Sequence, residues 1–393
     1  MTRKLFGLLL AVAAVVVLTA GSPDDGLTVH EWGTFTSVAG TNGKAIEWNG
    51  LGPARDLPPF VEDAGLHCTK WSFLASVRME TPVIYFYSSR EMQANVSVKF
   101  PHGQMSEWYP SARVSSDHIT PQPADTPDFQ LRNTVGGIEW RGIRVEPGVS
   151  PALPSGGEAN DRYYAARQTD SAPLTVGTQH EKFLFYRGLA HFDVPLTARV
   201  TADGKILVSN DGATVIPSAI LFENRGGRVT YRELGAIPLH APMDATAGWG
   251  EMGDAGHSLP ELYRDLEETL VSQGLFRKEA HAMVETWKDS WFEEGSRIVY
   301  VIPRATVDAL LPLSVQPQPA HTERVFVGRI ELLTAASTHD VADAVNRGDA
   351  TIAKKYGRFL EPLLARVPHA DPAVAAKVQQ LRMKIAQQGD FCR

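Results

Sequence analysis

Four Glu-Trp steps punctuate the chain: Glu31-Trp32, Glu47-Trp48, Glu107-Trp108 and Glu139-Trp140, in a protein with only 8 Trp among 393 residues. A carboxylate beside an indole suits sugar chemistry. Carboxylates serve as general acid and base, and aromatic faces stack on pyranose rings. Glu31, Glu107 and Glu139 are therefore candidate catalytic groups, with His30 beside the first. Trp108 and Tyr109, in SEWYP at 106–110, are candidate binding rings: Pro110 ends the run, and an edge position there would expose one ring. A plainer reading competes. Neighbouring residues of a strand face opposite ways, so each Glu-Trp is one polar-out, apolar-in step, with the indole in a core and the carboxylate in solvent. Trp32 is expected to be buried on this ground, with Glu31 solvated behind it.

The chain has 12 His, which suit proton transfer or metal binding. His191 and Asp193 share a strand face at i, i+2. His281 and Glu285 share a helix face at i, i+4, a spacing that can hold zinc, although the HExxH order is absent. These four are the candidate metal ligands. No nucleophile-elbow, phosphate-loop or dinucleotide glycine motif is present, and the sequence assigns no cofactor. Two polar groupings read as structural. Arg78 and Glu80 share a strand face as a local pair. Glu293 and Glu294 sit near a helix C-terminus, where the dipole opposes them unless Arg297 or another base joins a capping network.

The elements that must position these groups are mostly strands as far as residue 240. TPVIYFYSS (81–89) is β-branched and aromatic, and GGIEWRGIRVEP (136–147) alternates with period two. Hairpin turns are marked by Asp203-Gly204, by Asn210-Asp211-Gly212 and by Arg225-Gly226-Gly227. Residues 115–135 and 147–162 read as long loops. The period then becomes helical. Ser258 and Glu261 have capping-box spacing, and a helix ends at Gly274. A second helix runs from Arg277 to about Glu294, with Ala280, Met283, Val284, Trp287 and Trp291 as its buried stripe. Strands return at 297–303 and 323–333. Asp349 and Asp371-Pro372 then open two C-terminal helices. The expected class is β-rich (α+β), with antiparallel sandwich-type domains. The expected division is a signal peptide at 1–21, a first β domain with long loops at 22–162, a second at 163–335 carrying a helical insertion at about 258–295, and C-terminal helices at 336–393.

Thr2, Arg3 and Lys4 precede an unbroken apolar run at 5–18, followed by small residues before Ser22. That is the pattern of a cleaved secretory signal. An uncleaved anchor is the alternative, though the run is shorter than a spanning helix needs. Ser22 stands where a lipoprotein would carry Cys. The formal net charge of −7 and the lack of a basic block exclude nucleic acid as an expected partner, and no later stretch is apolar enough to form an integral membrane segment. The mature protein is expected to be exported, periplasmic or extracellular. In that compartment its 2 cysteines, Cys68 and Cys392, are expected to form one disulfide.

VHEWGTFTSV, RMETPVIYFY, SEWYP, SWFEEGSR and RVFVGRIELLT together resemble the signature stretches of a group of exported bacterial proteins with no assigned activity. The resemblance spans about 28 to 334. It implies an exported bacterial protein built as one extended unit, and it carries no reaction, ligand or catalytic residue. Two functions are therefore weighed on the residues alone. One is a non-catalytic binding protein for a surface glycan or protein partner. The other is a secreted hydrolase using Glu and His, with or without a metal. Convergence of the candidate carboxylates with two histidines in one pocket would favour the hydrolase, and dispersal would favour the binding protein.

Overall fold

The strand Thr28–Val38 takes eleven residues through the middle of a large sheet, and all but Thr28 are buried. Alternation alone would leave one face wet, so both faces of this strand must be covered. The computed structural model describes residues 26–50, 57–65, 74–118, 131–156, 161–246, 258–368 and 371–388, and it shows how. Across the sheet the strands run Gln179–Glu181, Leu174–Val176, Thr134–Val145, Gly103–Tyr109, Leu184–Ala190, Val77–Tyr87, Thr28–Val38, His321–Leu332, Gly295–Ile302, Ile216–Arg225 and Arg228–Ile237. Most neighbours are antiparallel, but Thr28–Val38 and His321–Leu332 lie parallel in full register. The sheet is mixed and the class is β-rich α+β.

The expected boundary near residue 162 is crossed by this sheet. Leu184–Ala190 lies between Gly103–Tyr109 and Val77–Tyr87, and Thr28–Val38 lies between Val77–Tyr87 and His321–Leu332. The two stretches share one hydrogen-bonded framework because the first strand pairs with one almost three hundred residues later, which period-two patterning cannot reveal.

Thr134–Val145 leaves the main sheet to pair with Met92–Pro101 and Arg113–His118. That outer layer turns Val96, Val98, Phe100, Ile138, Trp140 and Ile143 towards Phe35, Met79, Phe86, Tyr300, Phe326 and Ile330 of the main sheet. This is the sandwich core. The opposite face is roofed by the helices Leu259–Ser272 and Arg277–Trp291. Leu262, Leu266, Leu270, Met283, Trp287 and Trp291 there pack on Trp32, Val83, Tyr85, Val299, Val325 and Val327. The capping box forms as expected: Ser258 accepts from the Glu261 amide, and the Glu261 carboxylate takes the Ser258 amide at 2.9 Å. A third core joins Val38, Trp48 and Leu333 to the C-terminal helices. The single helix expected from Asp349 to Arg366 is instead two short helices, Ile352–Tyr356 and Leu360–Leu364. Gly357, at φ +46°, breaks the run between them, a backbone geometry glycine adopts freely.

One irregularity shapes the candidate site. The opening strand slips register against Val77–Tyr87 between Trp32 and Thr34. Gly33 stands at the slip, where a Cβ would lie 2.7 Å from Phe326 and 3.1 Å from Pro82. Opposite it Thr81 holds φ +46°, an outlying conformation for a β-branched residue. The bulge re-aims the polar residues on either side of it.

Candidate functional site

The candidate carboxylates do not meet. Trp32 is fully buried under the helices, and Glu31 does face the other way. The expectation that Glu31 is solvated is overturned, because that other face is the sandwich core. Glu31 is 0% exposed. Its Oε2 accepts from Arg324 Nε at 2.6 Å and its Oε1 from the Tyr186 hydroxyl at 2.5 Å. Arg324 also donates to Asp308 at 2.8 Å. Burial and then the Glu31 charge push the Tyr186 phenol well above its usual range. Glu107 is buried on a different strand, hydrogen-bonded by Ser106 and registered opposite Arg187. Glu139 lies at the surface of the outer layer, 2.7 Å from Arg141.

His30 joins the helix roof. Its Nδ1 lies 2.8 Å from the buried Glu279 carboxylate, which also accepts from the Tyr87 hydroxyl at 2.7 Å and the Phe276 amide at 2.8 Å. Phe276 packs on the imidazole with ring centroids 4.4 Å apart. This grouping ties the opening strand to the start of the Arg277–Trp291 helix. The candidate metal ligands also separate. His191 faces Glu47 at 3.3 Å, His281 pairs with Glu267 at 2.7 Å, and Glu285 pairs with Lys288 at 2.8 Å, while Asp193 is exposed. Among the described residues no group of three or more His, Cys, Asp or Glu is placed to hold a metal, and no helix is long and apolar enough to cross a membrane. Cys68, Cys392 and residues 1–21 lie outside the described residues.

Trp108 and Tyr109 take opposite faces of their strand. Trp108 is half-buried against the sandwich side, and its indole donates to Glu62 at 2.8 Å. Tyr109 is buried on the helix side within an aromatic group. Phe60 sits 4.9 Å from Tyr109, 5.4 Å from Tyr163 and 6.4 Å from Tyr164, centroid to centroid. Arg167 lies 4.7 Å from the Tyr164 ring and is held from below by Glu181 at 2.6 Å. Leu57, Phe60, Val61 and Tyr164 are the half-buried members of this group.

Four of the five signature stretches meet elsewhere, in a ladder of charges under the helix roof. Thr34 and Thr36 stand opposite Glu80 and Arg78 on one side, and Thr36 stands opposite Arg329 on the other. Arg78 and Glu80 lie close enough for the Arg78 charge to act on the Glu80 carboxyl, and each also reaches a further partner. Arg78 donates to the Gly50 carbonyl at 2.6 Å, and Glu80 accepts from Arg358 at 2.7 Å. Burial raises the Glu80 pKa, but Arg358 and then Arg78 outweigh it and hold the carboxyl at about 2. Arg329 donates to Glu293 at 2.7 Å, to Glu331 at 3.1 Å and to the Ser290 hydroxyl at 3.2 Å. Arg358 reaches the same Ser290 oxygen at 3.1 Å. The ring of Phe359 lies 4.7 Å from the Arg329 guanidinium and 5.0 Å from that of Arg358.

Arg297 closes the helix above the ladder. It donates to the carbonyls of Trp291 (2.9 Å), Glu293 (2.6 Å) and Glu294 (2.7 Å) and to the Glu331 carboxylate (3.0 Å). This is the capping network expected around the Glu293-Glu294 pair. A cation at the negative end of the helix dipole satisfies carbonyls that the helix itself leaves open. Sequence reasoning did not assemble the rest of the ladder. The available signal was polar residues two apart in otherwise apolar strands: Thr34 and Thr36, Arg78 and Glu80, Arg329 and Glu331.

No family model matches the chain, and no curated protein matches it. Among solved structures, the yeast delta-COP-I mu-homology domain aligns over 79% of this chain and 98% of its own, at 8% identity and a TM-score of 0.28. The same domain complexed with the Dsl1 WxWxV peptide aligns over the same shares at 8% identity and a TM-score of 0.26. The functional reading rests on this chain's own residues.

Proposed function

We propose that this is an exported, non-catalytic binding protein whose partner is a surface glycan. The observation that carries the reading is the aromatic group around Arg167. Phe60 and Tyr164 offer half-buried ring faces on a rigid floor of Tyr109 and Tyr163, with a guanidinium fixed between Tyr164 and Glu181. Ring faces beside a planar hydrogen-bond donor are what a pyranose needs, stacking through its C–H face and bonding through its hydroxyls. The dispersal of Glu31, Glu107 and Glu139 supports binding over hydrolysis, since each is engaged by different neighbours. The signal-like N-terminus and the quoted stretches support export.

The double variant Phe60→Ala/Tyr164→Ala tests it on a glycan array. The wild type should be retained by a defined subset of glycans and the double variant by none, with unfolding temperatures within a few degrees, because neither ring is fully buried. Retention unchanged in the double variant overturns the platform. Crosslinking to a surface protein with no glycan retained would point to a protein partner. Release of reducing sugar, lost in Glu107→Gln, would make the protein a hydrolase.

A further inference from the structure

We propose that the aromatic platform takes an uncharged sugar ring, read by Arg167 Nη1 and the Tyr109 hydroxyl, and that it excludes rings carrying a carboxylate. The inference rests on the glycan reading above and narrows it to a ligand class.

The charge of the platform arginine is already answered. Glu181, its side chain 0% exposed, takes Arg167 Nε at 2.9 Å and Nη2 at 2.6 Å. It also accepts from the Lys182 amide at 2.8 Å and the Tyr163 hydroxyl at 3.2 Å. Burial raises the Glu181 pKa, and the arginine and the two further donors oppose the rise. A carboxyl faced by a guanidinium and two more donors is ionised at neutral pH. Glu181 cannot give up the arginine to an incoming anion, because it would be left as a buried, unpaired charge. The guanidinium therefore meets a ligand as one half of a neutral pair.

What that pair leaves open is one edge of the guanidinium. Glu181 holds the side of Nε and Nη2, while Nη1 has no acceptor among the described residues. Tyr164, Tyr163 and Phe60 pack around the guanidinium at 4.7, 5.6 and 5.9 Å and fix its direction. The Tyr164 hydroxyl is tied to the Gly156 backbone at 3.2 Å, so Tyr164 presents a ring face and not a polar group. The Tyr109 hydroxyl makes no hydrogen bond among the described residues, and its ring lies 4.9 Å from Phe60. Burial and then the Glu181 charge raise its pKa, Arg167 opposes them, and Glu62 adds to the rise. The phenol is therefore protonated at neutral pH and can both donate and accept. The field that keeps it so, two carboxylates against one guanidinium, also disfavours a ligand carboxylate. A ligand cation would meet Arg167 on the same rings. An uncharged ring suits all of these groups, with a C–H face for the aromatics and hydroxyls for Nη1 and the phenol.

A glycan array bearing uncharged glycans beside their carboxylate-bearing counterparts tests the proposal on the full chain. The uncharged glycans should be retained and the acidic counterparts should not, with retention lost in Phe60→Ala/Tyr164→Ala. Calorimetric titration with a retained uncharged glycan should give the same affinity, within about twofold, at roughly 0.05 and 0.5 M sodium chloride, because no net charge is neutralised. Tyr109→Phe removes a hydroxyl with no bond inside the protein. It should weaken that glycan by about fivefold, the scale of one neutral hydrogen bond, at an unchanged unfolding temperature. Equal or better retention of the acidic counterparts overturns the inference while leaving the platform standing. So does an affinity that falls tenfold with salt, or a Tyr109→Phe protein that binds as the wild type does. Retention of no glycan, or retention that survives Phe60→Ala/Tyr164→Ala, overturns the platform reading and this inference with it.

Discussion

Glu31→Gln should destabilise the protein by about 3 kcal/mol, the scale of breaking a buried ion pair from one side. The substitution is nearly isosteric, so the cost is electrostatic. Arg324, with a side chain 1% exposed, would keep its charge and lose its nearest carboxylate, at 2.6 Å. Its remaining partner, Asp308, is 46% exposed and offers a weaker field. Arg324 Nη2 already lacks an acceptor, so the guanidinium has no spare bond to fall back on. The glutamine carboxamide can still accept from Tyr186, but its NH2 would face another donor. Urea unfolding followed by tryptophan fluorescence measures the effect. With a slope of roughly 3 kcal/mol/M, the midpoint should fall by about 1 M at unchanged slope. The double variant Glu31→Gln/Arg324→Met should recover part of the loss, because the orphaned charge goes with the arginine. Trp32→Ala, which empties a fully buried site on the opposite face, should cost about 3–5 kcal/mol. A Glu31→Gln protein within about 0.5 kcal/mol of wild type, the range of a surface change, would refute the reasoning and restore the solvated reading.

Acid should expose the contribution of Glu80. Its carboxyl sits at about 2 when folded, against 4.5 for an unperturbed group. A depressed folded pKa contributes stability above the unfolded value, and that contribution is lost as pH falls from about 4.5 through 2. The full amount is about 3 kcal/mol, so the acid limb of a stability–pH curve should flatten in Glu80→Gln, and a limb of unchanged steepness would count against the pairing with Arg358. Mass spectrometry of exported protein should show a new N-terminus near Ser22 and, after alkylation without reduction, no labelled cysteine. An intact Met1 in a membrane fraction, or two alkylated thiols, would contradict export with cleavage and the Cys68–Cys392 bond respectively.

The sequence by itself determined the class of the fold and most of its parts. Period-two runs, glycine-marked hairpins and the Ser258–Glu261 cap are local physics, and local physics reads from a short window. Gly226 and Gly227 both adopt positive φ in the Ile216–Arg225 to Arg228–Ile237 hairpin, the geometry a two-residue primed turn demands. The burial of Trp32 was legible for the same kind of reason, because an indole offers more apolar area than its neighbours. What only the tertiary structure decided is where the charges go. Whether Glu31 meets water depends on a second layer over its face, and that layer is built from strands at 92–101 and 134–145. Whether Thr34, Glu80, Arg329 and Arg358 form one cluster depends on a parallel pairing across nearly three hundred residues and on helices that arrive last in the chain. A polar residue every second position looks the same in sequence whether its face is wet or roofed. Only the packing of distant elements makes it a surface or a buried site, because desolvation is a property of the surroundings and not of the residue.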